Sequence, residues 1–181
     1  ELKFSPLDED HFASVSDWYH DAILELTQVS GFKSNARWIA TKLGVSVVEV
    51  NDAISRLVRL KHLDVSVEPW RDLSSSNSLV YSQVGSSAAV RKYQRQLLKI
   101  SSDSIEGIAP FDRSHTSIVF ALPRERIAQA EKIIREYRRK MVQLLKSEDV
   151  QCATDGPTSK NPDSIYALQI SLFPLSKEIR S

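Results

Sequence analysis

The sequence predicts an α+β protein: an N-terminal winged helix-turn-helix followed by an α-β-α-β module. Three observations carry that expectation. Apolar residues recur at helical spacing in three successive segments between residues 14 and 61. Residues 63–84 then alternate as the arms of a hairpin do. Beyond Gly85 and its neighbouring serines, two long helical patterns alternate with two strand-like runs. The expected division is a winged-helix domain over 1–84 and an α/β domain for dimerisation or sensing over 85–181.

The first helix is expected over "SVSDWYHDAILELTQVS", where Trp18, Ala22, Ile23, Leu26 and Val29 form one stripe. Ser14 or Ser16 is expected to cap it and Gly31 to end it, with Asp17, Asp21 and Glu25 on the solvated face. A second helix is expected from about Ser34 to Leu43, with Trp38, Ile39 and Leu43 inward and Gly44 supplying the positive φ of its exit. Ser46 and Glu49 have the spacing of a capping box, which opens a third helix running from Val47 to Lys61. Val50, Ala53, Ile54, Leu57 and Leu60 make its buried stripe. "LDVSV" then reads as a strand and Pro69 breaks it. "LVYSQV" reads as its antiparallel return, so the order is that of a winged helix.

In the second half, "SSAAVRKYQRQLLKISSDSIEGI" reads as a helix with Val90, Tyr93, Leu97 and Ile100 on one face. "SHTSIVFAL" reads as a strand, Pro123 suits a first helical turn, and "RERIAQAEKIIREYRRKMVQLLKSE" reads as the longest helix. "SIYALQISLFPLS" closes the module, with Tyr166, Leu168, Ile170 and Leu172 on one face. Two strands around a crossover helix pair in parallel or through a partner's strand. Two alone make a poor sheet.

At 181 residues, with 41% hydrophobic and 26% charged residues, the composition is that of a soluble domain or two small ones. The single Cys152 excludes a disulfide framework and a cysteine zinc cluster, and points to a reducing, cytoplasmic setting. No apolar run approaches the roughly 20 residues that span a bilayer, and the start has no signal-peptide character, so no membrane partner is expected. The chain opens at Glu1 without a methionine, which suggests a shortened or processed product.

Several of these stretches resemble the bacterial family catalogued as domain of unknown function 4423, whose members are described as candidate transcriptional regulators. The resemblance rests on "WYH" (Trp18, Tyr19, His20), on the spacing of Val50, Ala53, Leu57 and Leu60, and on "RKYQRQLL". Arg113 ahead of the central strand and the closing "LFPLS" extend it over residues 11 to 176. It implies gene regulation and a further helix-turn-helix upstream, and it brings no catalytic residue, ligand or metal.

A helix that reads DNA offers Arg to guanine or Asn/Gln to adenine in the major groove. Here Asn51, Ser55, Arg56 and Arg59 are the candidate readers. Arg37, Lys42 and Lys61 are the candidate phosphate contacts, and Arg71 is the wing residue aimed at backbone or minor groove. Against this, Glu49 and Asp52 occupy the first turns, and residues 1–82 carry 8 Lys/Arg against 12 Asp/Glu. Phosphate neutralisation supplies much of DNA affinity, so a protein partner for an acidic winged helix stays open beside double-stranded DNA. Residues 83–181 carry 16 Lys/Arg against 11 Asp/Glu, concentrated at Arg91–Lys99 and Arg135–Lys140, which solvated helices also explain.

No enzyme is expected. His11, His20, His62 and His115 lack metal-ligand spacing, and five glycines form no phosphate loop. Asp112, Ser114 and His115 are close in sequence, but an extended chain turns neighbouring residues to opposite faces. No cofactor is expected. The leading reading is a non-enzymatic regulator that binds DNA as a homodimer. The alternatives are a protein-interaction module and a small-molecule sensor in the C-terminal half.

Overall fold

Two glycines, an asparagine and a serine set the limits of the first helices. The computed structural model describes residues 16–74, 88–146 and 162–176. Helix α1, Tyr19–Leu26, begins at Trp18, which offers no side-chain cap. The expected serine cap is not made by Ser16, whose hydroxyl donates to Asp17 Oδ2 at 3.2 Å, and Ser14 lies outside the described residues. Gly31, with φ 75°, turns the chain out of the region after α1. Helix α2, Ala36–Leu43, is capped by Asn35, whose Oδ1 accepts the N–H groups of Arg37 and Trp38 at 2.9 and 3.1 Å.

Gly44 closes α2 with φ 67°, and helix α3, Val47–Arg59, starts from a complete capping box. The Glu49 N–H donates to Ser46 Oγ at 3.2 Å, and the Ser46 N–H donates to Glu49 Oε2 at 2.8 Å. At its far end the His62 N–H reaches back to the Leu57 carbonyl at 2.8 Å, over Lys61 at φ 58°. That reversal favours glycine, because a Cβ crowds the left-handed backbone. Lys61→Gly is therefore expected to stabilise the protein by about 0.5 kcal/mol after the added freedom of the unfolded chain is deducted. Thermal unfolding checks it, and a lowered midpoint would count against the strain.

The three helices and the first strand share one core. Ile23, Leu24 and Leu26 of α1 meet Ile39 and Ala40 of α2, Val50, Ala53 and Leu57 of α3, and Leu63. Ile54, Leu43 and Trp38, expected inward, are half-buried at its margin. The apolar stripe is wider than the contact that covers it.

Strand β1, Leu63–Asp64, pairs antiparallel with β2, Arg71–Asp72, in the register Leu63 to Asp72 and Asp64 to Arg71. The return expected at "LVYSQV" falls outside the described residues, and the chain has already turned back before it. Trp70 is the reason: its N–H donates to Ser34 Oγ at 3.0 Å and its ring packs edge-on to Phe32. Trp70 is thus a half-buried packing anchor at the margin of the core.

Helix α4, Ala88–Gly107, belongs with this first unit, which comprises Glu1–Gly107 and Ser159–Ala167. Asp17 draws it in: Lys92 Nζ lies 2.6 Å and Gln96 Nε2 2.9 Å from Asp17 Oδ1, while Gln96 Oε1 accepts the Trp18 N–H at 3.1 Å. Residues 162–165 complete the unit. The Ser30 N–H donates to the Pro162 carbonyl at 2.7 Å, and Ile165 packs on the core.

The second unit comprises Ile108–Thr158 and Leu168–Ser181. It holds 3-10 turns at Pro110–Asp112 and Arg124–Arg126 and helix α5, Ile127–Lys146. Here the α-β-α-β expectation is corrected. Residues 113–123 and 168–174 run without turn or bend, yet among the described residues they join no ladder. An extended segment becomes a strand only when another chain segment takes its N–H and C=O groups. The described residues are thus mainly helical with a two-stranded antiparallel sheet, an α+β arrangement. None of its described helices is long and apolar enough to cross a membrane.

Candidate nucleic-acid interface

Helix α3 has two chemically distinct sides. Val50, Ala53 and Leu57 are buried, and the opposite surface carries Asn51, Ser55 and Arg59, all exposed. Residues four apart lie one above another on a helix, so these three form a single polar strip along α3. Strong periodicity in the sequence marks both sides.

Arg56 does not join that strip. It is half-buried, and its Nη1 donates to His20 Nε2 at 3.0 Å. A guanidinium can only donate, so Nε2 is an acceptor and the imidazole proton sits on Nδ1, facing the Asp17 carbonyl at 3.0 Å. His20 is 1% exposed and stacks on Tyr19 at a centroid distance of 5.0 Å. Burial, then the Arg56 charge, hold its pKa below the ordinary histidine value, with the Asp17 carbonyl opposing. His20 is a structural acceptor that fixes Arg56. Nothing in the sequence links two residues 36 apart, so the pairing was beyond pattern reading.

The remaining candidates scatter. Arg37 is exposed in the first turn of α2, and Lys42 is exposed in its last turn, its Nζ 5.6 Å from the Trp38 ring centroid. Lys42 and Trp38 border a cleft of about 350 Å³ shared with Leu26, Val29 and residues 163–165. Lys61 is exposed beyond the end of α3, and Arg71 is exposed on β2 opposite Asp64.

The acids of this surface stay charged. Hydrogen bonds from Ser46 hold the Glu49 carboxyl below its usual range. Bonds from the Ser66 hydroxyl and N–H do the same for Asp64, at 2.6 and 2.9 Å. Tyr19, below them, is pushed up to about 12 by burial and by the charges of Asp17, Glu49 and Asp52. The N-terminal turn of α3 is therefore the anionic end of the face, and Asn51, Ser55 and Arg59 run away from it.

Two acids expected on the solvated face of α1 are in fact packed against α4. For Asp17, burial pushes the carboxyl up, but Lys92, Gln96 and Ser16 more than offset that and leave it below the ordinary value. Asp21 accepts from Tyr93 Oη at 3.3 Å, and burial raises its carboxyl to about 6. The solvated reading failed because α4, some 70 residues away in sequence, covers that side.

Among the described residues no group of three His, Cys, Asp or Glu is placed to hold a metal. No curated protein and no solved structure matches the chain. A family model described as Domain of unknown function (DUF4423) matches residues 1–175. With nearly the whole chain covered by that match, the protein belongs to the DUF4423 family.

Proposed function

We propose that the chain is a non-enzymatic, cytoplasmic bacterial regulator. In this reading the first unit is a winged helix-turn-helix that presents α3 to double-stranded DNA, and the second unit joins copies. The observation that carries it is the exposed strip of Asn51, Ser55 and Arg59 backed by the fully buried Val50, Ala53 and Leu57. A rigid helix with Asn and Arg on its outer face suits base edges in a major groove. Lys61 and Arg71, exposed beyond α3 and on β2, supply charge for phosphate. Arg56 acts from behind, as the residue that ties α3 to α1 through His20.

A second reading has its own support. Val48 is 69% exposed on α3, close to Glu49 and Asp52, which suits a protein surface better than a polyanion. Titration of labelled duplex DNA at two salt concentrations separates them. DNA reading predicts affinity that falls as salt rises, and a further loss of about 10-fold or more in Asn51→Ala/Arg59→Ala. Absence of binding at low salt would transfer the face to a protein partner.

A further inference from the structure

The cleft of about 350 Å³ in the first unit takes no part in the proposed DNA contact, because no residue of α3 lines it. Its walls come from the end of α1 and the turn after it, from α2, and from residues 163–165. The Ser30 N–H, bonded to the Pro162 carbonyl at 2.7 Å, ties the last of these walls to the first. Leu26 and Val29, both buried, and Trp38, Leu43 and Ile165, all half-buried, give the cleft an apolar lining. Gly31 adds no side chain to it, and a Cβ placed there would meet nothing within 4 Å. Small-molecule sites combine such a lining with a few polar groups that fix orientation.

Here those groups are two charges of opposite sign. Lys42 and Asp163 both line the cleft and both are exposed. Lys42 Nζ lies 5.6 Å from the Trp38 ring centroid, which places the cation against the apolar lining. Among the described residues neither charge forms an ion pair, with the other or with any third group. Two opposite charges that share one small cleft without meeting match a molecule that carries both.

We propose that this cleft binds a free α-amino acid with an apolar side chain. Lys42 takes its carboxylate, Asp163 takes its ammonium group, and the lining of Leu26, Val29, Leu43 and Ile165 takes its side chain. Charge selects this occupant over others. A fatty acid or a phosphate would face the Asp163 carboxylate, and a simple amine would face the Lys42 ammonium group. Each is rejected by the rim charge that it cannot satisfy. An apolar stretch of polypeptide brings neither charge. Size agrees, because about 350 Å³ lies near the lower end of small-ligand sites. The inference goes beyond the DNA reading of α3 and does not depend on it.

Titration of the full chain with L-leucine, followed by amide and indole N–H resonances, tests it. The expected result is saturable shifts at Gly31, Trp38, Leu43 and Ile165, with a Kd on the order of 0.1 mM. Isocaproate, which lacks the ammonium group, and isoamylamine, which lacks the carboxylate, are each expected to bind about 10-fold more weakly or worse. Lys42→Met and Asp163→Asn are each expected to weaken leucine by a similar factor. Lys42→Met should leave isoamylamine unaffected, and Asp163→Asn should leave isocaproate unaffected, a pattern that general loss of structure would not produce. Both positions are exposed; should a variant still not fold, the three ligands on the unaltered protein decide alone. No saturable shift up to roughly 10 mM leucine, or equal binding of the three ligands, overturns the proposal. So do cleft resonances that move with protein concentration instead of leucine, which would give the cleft to a second copy. Contacts from another segment of the chain to the Trp38 ring, present without leucine and unmoved by it, overturn it as well. The DNA titration reads the other claim separately, since loss of either activity leaves the other measurable.

Discussion

Leu57→Ala is expected to destabilise the first unit by about 3 kcal/mol, a large share of the 5–15 kcal/mol that holds a typical domain together. Leu57 is 1% exposed and sits where α3 meets the α1 and α2 side chains of the core, including Ile23 and Ile39. Truncation removes three carbons from a packed site, and the neighbours close the gap only in part. The consequence reaches the outer surface, because the same residue's carbonyl receives the His62 N–H that ends α3. Val48→Ala, on the exposed side of the same helix, is the matched control and is expected to change stability by no more than about 0.5 kcal/mol. Urea unfolding followed by tryptophan emission gives both values. Equal losses for the two variants would show that α3 is not seated by that stripe, and the proposed outward strip of Asn51, Ser55 and Arg59 would fall with it.

The same helix shows what a sequence discloses. Val50, Ala53 and Leu57 were legible because a 3.6-residue period concerns one segment and needs no knowledge of its neighbours. The Ser46–Glu49 box and the turns at Gly31 and Gly44 were legible for the same reason: each is a local bargain between a side chain or a φ angle and nearby backbone. The contacts that were not legible join distant segments. Arg56 looked like a base reader and is bound to His20. Asp17 and Asp21 looked solvated and are covered by Lys92, Gln96 and Tyr93. The early hairpin return depends on Trp70 finding Ser34 and Phe32. The runs at 113–123 and 168–174 carry strand chemistry, but pairing is a property of two segments, and composition names only one of them.

Asp21→Asn is expected to stabilise the protein by about 2–3 kcal/mol above pH 7 and to change little near pH 4. Burial raises this carboxyl from 3.8 to about 6, with the Tyr93 hydroxyl opposing and Glu25 adding to the rise. A carboxyl raised on folding binds its proton more readily in the native chain. Its contribution is most favourable below pH 4 and is lost as pH rises through 6, after which a charge must stay desolvated. Asparagine removes that charge and keeps an oxygen for Tyr93 Oη, now 3.3 Å from Oδ2. His20 tilts the other way. Its lowered pKa makes protonation favour the unfolded chain, so stability falls as pH drops below 6.5. Between pH 4 and 6 the two groups oppose each other in the unaltered protein. In Asp21→Asn that counterweight is gone, although the carboxyl of Glu25, also raised by burial, still opposes the histidine. Stability should therefore decline more steeply on acidification from pH 6.5 than in the unaltered protein. The difference between the two proteins, read from melting temperatures across pH 4 to 8, isolates Asp21 because every other carboxylate is common to both. A constant gap over that range would mean that Asp21 is already charged and solvated on folding, and that α4 does not lie over α1 as the bonds of Tyr93 to Asp21 and of Lys92 and Gln96 to Asp17 require.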